Sequence, residues 1–242
     1  MRTPMSYLQT LKTAMDLSPD AVFFVRDQRG SYRLANQGLA GICCVSNPED
    51  LIGRSNREFF EPAYADWADG LDAAVRAGDT IVNRFDNLRD AKGRGLWTLY
   101  SRACVDLPGA PRQVLSVSRR LPAGVAAERS YARLQRATDI LSTELGEIRS
   151  VRQLAERCDC SASQLERDFA RVLATTPRRY EATARAQRAK DMLRRKSPLL
   201  ETALECGFSE QSSFSRFFRR MTGLTPGAYR AAASQSSLQQ PL

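Results

Sequence analysis

The second half of the chain is written twice. Phe169 is followed eight residues on by Pro177 and three further by Tyr180, and Phe218 is followed by Pro226 and Tyr229 at the same spacings. Leu165 and Arg167 correspond in the same way to Phe214 and Arg216, at an offset of 49 residues throughout. Upstream, Leu154, Ala155 and Asp159 match Thr202, Ala203 and Gly207 at an offset of 48, so the second copy holds one more residue in its turn. Two copies are too few for a solenoid, which needs about three stacked repeats to bury a core. The pattern therefore predicts a duplicated small unit.

Each copy reads as helix, tight turn, helix. In the first, Ser150 with Gln153 three residues later is a capping box that opens a short helix to about Arg157. Cys158-Asp159-Cys160 is the turn. Either Ser161 with Gln164 or Ser163 with Glu166 caps the next helix, which ends near Leu173. In the second copy Ser197 is the expected N-cap, with Pro198 at the first helical position. Gly207 follows that helix with a permissive backbone. The last helix runs from near Glu210 to near Thr222, with Gly223 past its end. The connecting stretch RRYEATARAQRAKDMLRR, residues 178–195, has no Gly or Pro and reads as one helix. At about 1.5 Å per residue it is roughly 27 Å long, close to the roughly 34 Å between major-groove faces one turn apart.

Helix–turn–helix pairs place their second helix in the major groove of DNA. In GFSEQSSFSRFFRRMTGLTPGAYR, residues 207–230, the apolar set Phe214, Phe217, Phe218 and Met221 recurs at helical spacing and faces inward. Gln211, Ser212, Ser213 and Arg216 fall near the helix start and on the other face. Gln suits adenine and Arg suits guanine, while Arg219 and Arg220 are placed near phosphates. Charge agrees. The net charge is +9; residues 1–124 carry 16 Lys and Arg against 14 Asp and Glu, and residues 125–242 carry 20 against 13. The basic excess sits with the repeat and suits either a polyanionic partner, which beside the helix–turn–helix reading is double-stranded DNA, or a plain solvated basic surface.

Residues 130–232 resemble the DNA-binding domain of the AraC/XylS family of bacterial transcription regulators. The stretch 207–230 is similar to that family's C-terminal signature along almost its whole length, and RAQRAKDML, residues 185–193, resembles its linker helix. The first copy departs from the pattern: Asp159 and Ala174 stand where the family has Gly, and Ala186 where Leu is usual. The resemblance implies base contacts by Ser163, Glu166 and Arg167 in the first unit and by Gln211, Ser212, Ser213 and Arg216 in the second. Glu166 could accept from a cytosine amino group, or could cap or sit on a solvated face. RNA polymerase is a further partner that the family implies.

The first half is built differently. AVFFVRD and SYRLAN read as two strands around the turn Gln28-Arg29-Gly30. Helical segments follow at QGLAGICC, around residues 49–52, and at EPAYADWADGLDAAVRAG. Three more strands are TIVNRFDNLRD, GLWTLYSRACVDL and QVLSVSRRL, separated by turns at Ala91-Lys92-Gly93 and Gly109-Ala110-Pro111. Two strands, helices and three strands predict an α+β domain with a five-stranded antiparallel sheet. The SPDAVFFVRDQRG opening, Asn36, LIGRSNREFF and GLWTLYSRACVDL resemble a PAS domain, a fold that binds a small molecule between sheet and helices or pairs subunits. Alternation and position nominate Phe24, Leu34, Cys43, Phe59, Phe60, Trp67, Phe85, Trp97 and Leu99 as a pocket lining, with plain core as the other reading of each.

Several chemistries are excluded. The chain has no histidine, which removes Ser-His-Asp and Cys-His catalysis and a His-ligated haem. No flavin-photosensor motif surrounds Cys43-Cys44. Those vicinal thiols could sense oxidants, although an apolar helix more often holds inert thiols. Cys158, Cys160 and Cys206 lack zinc spacing. No cofactor, metal site or enzyme activity is expected. No apolar run approaches the roughly 20 residues of a membrane span, and the N-terminus lacks a secretory apolar core, so a cytoplasmic protein with reduced thiols is expected.

The expected organisation is a PAS-like domain over residues 1–121, a linker over 122–129 around Pro122-Ala123-Gly124, the DNA-binding domain over 130–232, and a disordered tail over 233–242. The stripe Leu134, Ala137, Leu141 and Leu145 makes the segment after the linker helical, either as the first helix of the DNA-binding domain or as a pairing element of a homodimer. The combined reading is a sequence-specific DNA-binding transcription regulator with a sensory PAS-like domain; the alternative is a ligand-independent regulator whose PAS-like domain only mediates dimerisation.

Overall fold

The computed structural model describes residues 4–106, 111–148 and 150–238. The chain divides into two compact units, residues 1–128 and 129–242.

The first unit begins with helix α1 (Pro4–Asp16), which sequence patterning did not announce, and continues with strands β1 (Ala21–Arg26) and β2 (Tyr32–Ala35). Asp27 makes the turn between the strands: its Oδ1 accepts from Arg29 N at 2.9 Å and from Ser31 N at 3.0 Å. Gly30 takes the φ of +78° that the turn needs. Helices α2 (Gln37–Cys43) and α3 (Pro62–Arg76) follow, with two short 3-10 turns at Pro48–Leu51 and Asn56–Glu58 between them. Strands β3 (Ile81–Arg89), β4 (Gly95–Val105) and β5 (Gln113–Arg120) complete one antiparallel sheet in the order β2-β1-β5-β4-β3. Most of the expected turn at Gly109-Ala110-Pro111 lies outside the described residues.

Strand alternation gives the sheet two different faces. One packs Phe23, Val25 and Leu34 against Leu8 of α1, with Leu11, Met15, Leu115 and Val117 half-buried around them. The other packs Val22, Phe24, Tyr32 and Leu88 against Leu39, Ile42 and Cys43 of α2. Asn36 joins sheet to helix. Its Oδ1 accepts from Phe23 N at 2.9 Å and caps α2 through Leu39 N at 3.1 Å, while its Nδ2 donates to Ala21 O at 2.9 Å. A fully buried Asn is tolerated because these bonds satisfy it.

The second unit is helical. Helix α4 (Val125–Thr143) takes up residues 125–129 of the expected linker. The two copies follow as α5 (Val151–Arg157) with α6 (Ala162–Leu173), and α8 (Leu199–Glu205) with α9 (Gln211–Thr222), joined by α7 (Pro177–Arg194). Ser150 caps α5 through Gln153 N, and Ser161, not Ser163, caps α6 through Gln164 N. Pro198, not Ser197, holds the N-cap position of α8; its ψ of 145° is extended, so the helix starts one residue later than read. Helix α10 (Pro226–Leu238) carries residues 233–238 of the expected disordered tail; residues 239–242 lie outside the described residues.

The sequence repeat is a repeat of packing. Phe169 meets Tyr180 edge-on at 5.9 Å between ring centres, and Phe218 meets Tyr229 edge-on at 5.5 Å. Leu165 and Phe214 are both fully buried. The turns match too. Asp159 and Gly207 have φ of +54° and +75°, and the helix ends Ala174 and Gly223 have +50° and +80°. Arg133 of α4 pairs with the buried Asp168 of α6, and Arg136 Nη1 lies 2.5 Å from Asp159 Oδ2. Gly146 runs against the second turn: a Cβ on Gly207 would stand 2.4 Å from Leu145 O.

Candidate nucleic-acid interface and core cavity

Helices α6 and α9 each turn one apolar face inward. Leu165 and Phe169 are buried in α6; Phe214, Phe217 and Phe218 are buried in α9. The opposite faces are open. Ser163, Glu166 and Arg167 are exposed on α6, and Gln211, Ser212, Arg216, Arg219 and Arg220 on α9, with Ser213 half-buried. Arg167 Nη2 donates to Gln164 Oε1 at 2.8 Å, and Arg216 Nη2 donates to Ser213 Oγ at 3.2 Å, so each guanidinium lies along its own helix. Ser212 Oγ donates to Glu210 Oε2 at 3.2 Å. Glu166 neither caps α6 nor makes an ion pair among the described residues, which leaves its carboxylate exposed.

Sequence reading missed two features of this surface. The offset that matches Arg167 to Arg216 also matches Ser163 to Ser212, so both helices offer the same Ser–Arg pair one turn apart. Arg178 and Arg185 of α7 also join Arg216 and Arg220 of α9 around a groove of about 360 Å³, floored by Phe208 and Phe217. Arg185 lies over the Phe208 ring at 5.2 Å and Arg220 over the Phe217 ring at 5.8 Å. Glu181 lines the same groove and pairs with Arg185 at 3.0 Å, so Arg178, Arg216 and Arg220 leave it a net positive charge suited to phosphate. The signal in the sequence was weak, because α7 is polar nearly all round and shows no single face.

In the first unit a cavity of about 40 Å³ lies between the sheet and α2, α3 and the chain entering α3. Of the nominated lining, Phe24 and Phe60 do line it. The rest do not. Leu34 belongs to the opposite face beneath α1. Cys43 packs in the core behind the cavity, and Phe59 lies under Arg54, 4.3 Å from its guanidinium. Trp67 is 42% exposed on α3, stacked beside Tyr64. Phe85, Trp97 and Leu99 alternate with Asp86, Thr98 and Tyr100, and it is the second set that lines the cavity. A one-residue change of parity exchanges the two faces of a strand, and here the cavity face carries the polar residues.

Those residues form a buried network. Arg26, fully buried, donates Nε to Gly30 O at 2.9 Å and pairs with Asp69. Its Nη1 lies 2.9 Å from Asp72 Oδ2, a charge contact without hydrogen-bond alignment. Asp72, also fully buried, accepts from Arg102 Nη1 at 2.7 Å. Burial works against the charge on Arg102, but Asp72, Tyr64 and Tyr100 outweigh it, and its pKa is raised. Tyr64 donates to Asp86 Oδ2 at 2.8 Å. Burial raises the Asp86 pKa, opposed by that hydrogen bond and by Arg102. Tyr32 donates to Asn56, and burial pushes its phenol well up.

The cysteines are free thiols. Burial, with a smaller effect of Cys44, pushes the Cys43 thiol up to about 12. Burial likewise takes Cys158 to about 11 and Cys206 to about 12. Such thiols hold almost no thiolate near neutral pH.

A family profile described as a helix-turn-helix domain matches residues 154–232, and one described as a PAS fold matches residues 15–121. The probable transcriptional regulator LumQ of Photobacterium leiognathi is 38% identical over 82 residues, covering 34% of this chain and 33% of that protein. The HTH-type transcriptional activator RhaS of Escherichia fergusonii is 30% identical over 157 residues, covering 64% of this chain and 54% of that protein. A Chromobacterium violaceum regulator with an AraC-type DNA-binding domain is 31% identical over 43% of this chain and 93% of the solved chain, at a TM-score of 0.39. Residues 154–232 are thus a helix-turn-helix domain of the kind these regulators share, behind a PAS domain at residues 15–121. The chain spans between a third and about half the length of these two curated relatives.

Two departures from the AraC signature now have a physical cost. Asp159 and Ala174 occupy the left-handed backbone that Gly207 and Gly223 occupy in the second copy. Asp tolerates that region through its short polar side chain, whereas Ala has no such relief. No helix among the described residues is long and apolar enough to cross a membrane.

Proposed function

We propose that the protein is a sequence-specific DNA-binding transcription regulator that reads two successive major grooves with α6 and α9, and whose PAS domain senses a small molecule. The observation that carries the DNA reading is the matched Ser–Arg pair on the exposed faces of both second helices, beside the arginine-lined groove at α7 and α9. Ser163, Glu166 and Arg167 face one half-site; Gln211, Ser212, Ser213 and Arg216 face the other; Arg219 and Arg220 contact phosphates. Binding-site selection with the full chain tests this. Enriched sequences should hold two half-sites about one helical turn, roughly 10 base pairs, apart. Selection that returns only salt-sensitive, sequence-indifferent binding would refute it.

Sensing would act by population shift: a ligand that binds one arrangement of the PAS domain better favours that arrangement. A second reading has its own support. The cavity of about 40 Å³ compares with the roughly 300 Å³ or more of drug-sized sites, which fits a PAS domain that only pairs subunits in a homodimer. Small molecules released from natively purified protein, identified by mass spectrometry, separate the two readings. RNA polymerase is the proposed downstream partner, in keeping with the naming of RhaS as an activator.

A further inference from the structure

The cavity face of the sheet holds two buried groups with nothing to bond. Arg102 is 5% exposed and Ser116 is 1% exposed, and both line the cavity. They are direct neighbours across β4 and β5. Asp72 and Ala68 O occupy Nη1 of Arg102, but its Nε has no hydrogen-bond partner, and neither has Ser116 Oγ. Leaving a buried polar group unsatisfied costs about 1–3 kcal/mol, so two adjacent ones call for an acceptor. The walls beside them are flat. The Arg102 guanidinium lies 5.7 Å from the Phe24 ring centre and 5.2 Å from that of Tyr100, with Phe60 and Tyr64 also lining the space.

We infer that this site takes a compact, planar, uncharged molecule whose carbonyl-type acceptor receives hydrogen bonds from Arg102 Nε–H and Ser116 O–H. Charge decides against ions. Arg102 is neutralised by Asp72, and the Asp86 carboxyl on the same wall opposes an anion. A cation would meet the Arg102 guanidinium. Size sets a limit as well. About 40 Å³ accommodates only a few water-sized bodies, at ~10–15 Å³ each, so a ring enters only when the wall yields. On this inference the wall that yields is the aromatic run Phe60–Tyr64–Trp67, whose rings stand 5.1 and 5.4 Å apart and which reaches the surface at Trp67.

This inference rests on the sensing reading, and the test separates the two. The full chain is titrated with 2-pyridone, toluene, benzoate and benzamidine, followed by 1H–15N NMR. 2-Pyridone should shift amides of β1, β4, β5 and α3 saturably and bind better than the other three. Ser116→Ala should weaken it roughly five- to tenfold while leaving thermal stability equal or higher, because the hydroxyl has no partner to lose. Ser116→Val, which fills the space, should abolish binding. Equal affinity in Ser116→Ala overturns the assignment. Tighter binding of benzoate, benzamidine or toluene overturns the chemical class but leaves a ligand-holding cavity. If no probe binds and native mass spectrometry releases no small molecule, the class and the sensing reading both fall, and DNA binding is untouched.

Discussion

Ala174→Gly should make the DNA-binding unit more stable. Ala174 ends α6 at φ +50°, ψ +36°. For a residue with a Cβ the left-handed region costs about 1–2 kcal/mol. Glycine removes that cost but adds unfolded-state entropy of about 0.4–1 kcal/mol. The net gain is therefore about 0.5–1 kcal/mol, or a rise of roughly 2–6 °C in midpoint for a domain of this size. The repeat provides the mirror experiment. Gly223 ends α9 at φ +80°, and a Cβ there would meet nothing within 4 Å, so Gly223→Ala should lose about what Ala174→Gly gains. Gly207→Ala has the same backbone cost and a Cβ 2.4 Å from Leu145 O; with overpacking it should lose roughly 2–4 kcal/mol. The assay uses the distribution of tryptophan. Both, Trp67 and Trp97, lie in the first unit, so their fluorescence follows the PAS domain, while far-ultraviolet circular dichroism weights the helical second unit. A dichroism midpoint in Ala174→Gly that stays put or falls, with fluorescence unchanged, would refute the reasoning.

Three further outcomes are expected. Arg216→Ala should weaken specific DNA binding by about 1–3 kcal/mol and relax preference at one base pair, Arg167→Ala should do so less strongly, and Arg219→Ala should act evenly across sequences; unchanged preference in Arg216→Ala, measured by competition binding, would misplace α9. Asp72→Asn takes the carboxylate partner from the buried Arg102 and one of two from Arg26, which keeps Asp69, and should cost the PAS domain about 3–5 kcal/mol, seen as an early loss of tryptophan fluorescence in urea; a loss under 1 kcal/mol would mean that the network is not stabilised by that carboxylate. A fragment from about residue 126 holds both helix–turn–helix copies and most of the basic excess, so its salt slope on a selected site should match that of the full chain; a much shallower slope would mean that the PAS domain touches DNA.

The double helix–turn–helix was legible because everything that specifies it is local or periodic. Helix caps at Ser150 and Ser161, the αL residue Gly223 and the inward phenylalanines act within a turn or two of themselves. The offset of 49 then lets one copy check the other. The succession of strands and helices along the PAS domain was legible for the same reason, through turn residues and alternation, whereas the order β2-β1-β5-β4-β3 within the sheet was not. Tertiary structure decided what alternation leaves open, namely which face of each strand looks inward. Apolar residues lie on both faces, since α1 covers one and α2 and α3 the other, so Phe85, Trp97 and Leu99 gave no sign that the cavity belonged to Thr98, Tyr100 and Arg102. The meeting of Arg26, Asp72 and Arg102 is likewise invisible in a sequence. Three charges separated by tens of residues read as surface until the fold puts them out of water together, where their mutual pairing, with Asp69 and backbone carbonyls beside it, makes burial tolerable.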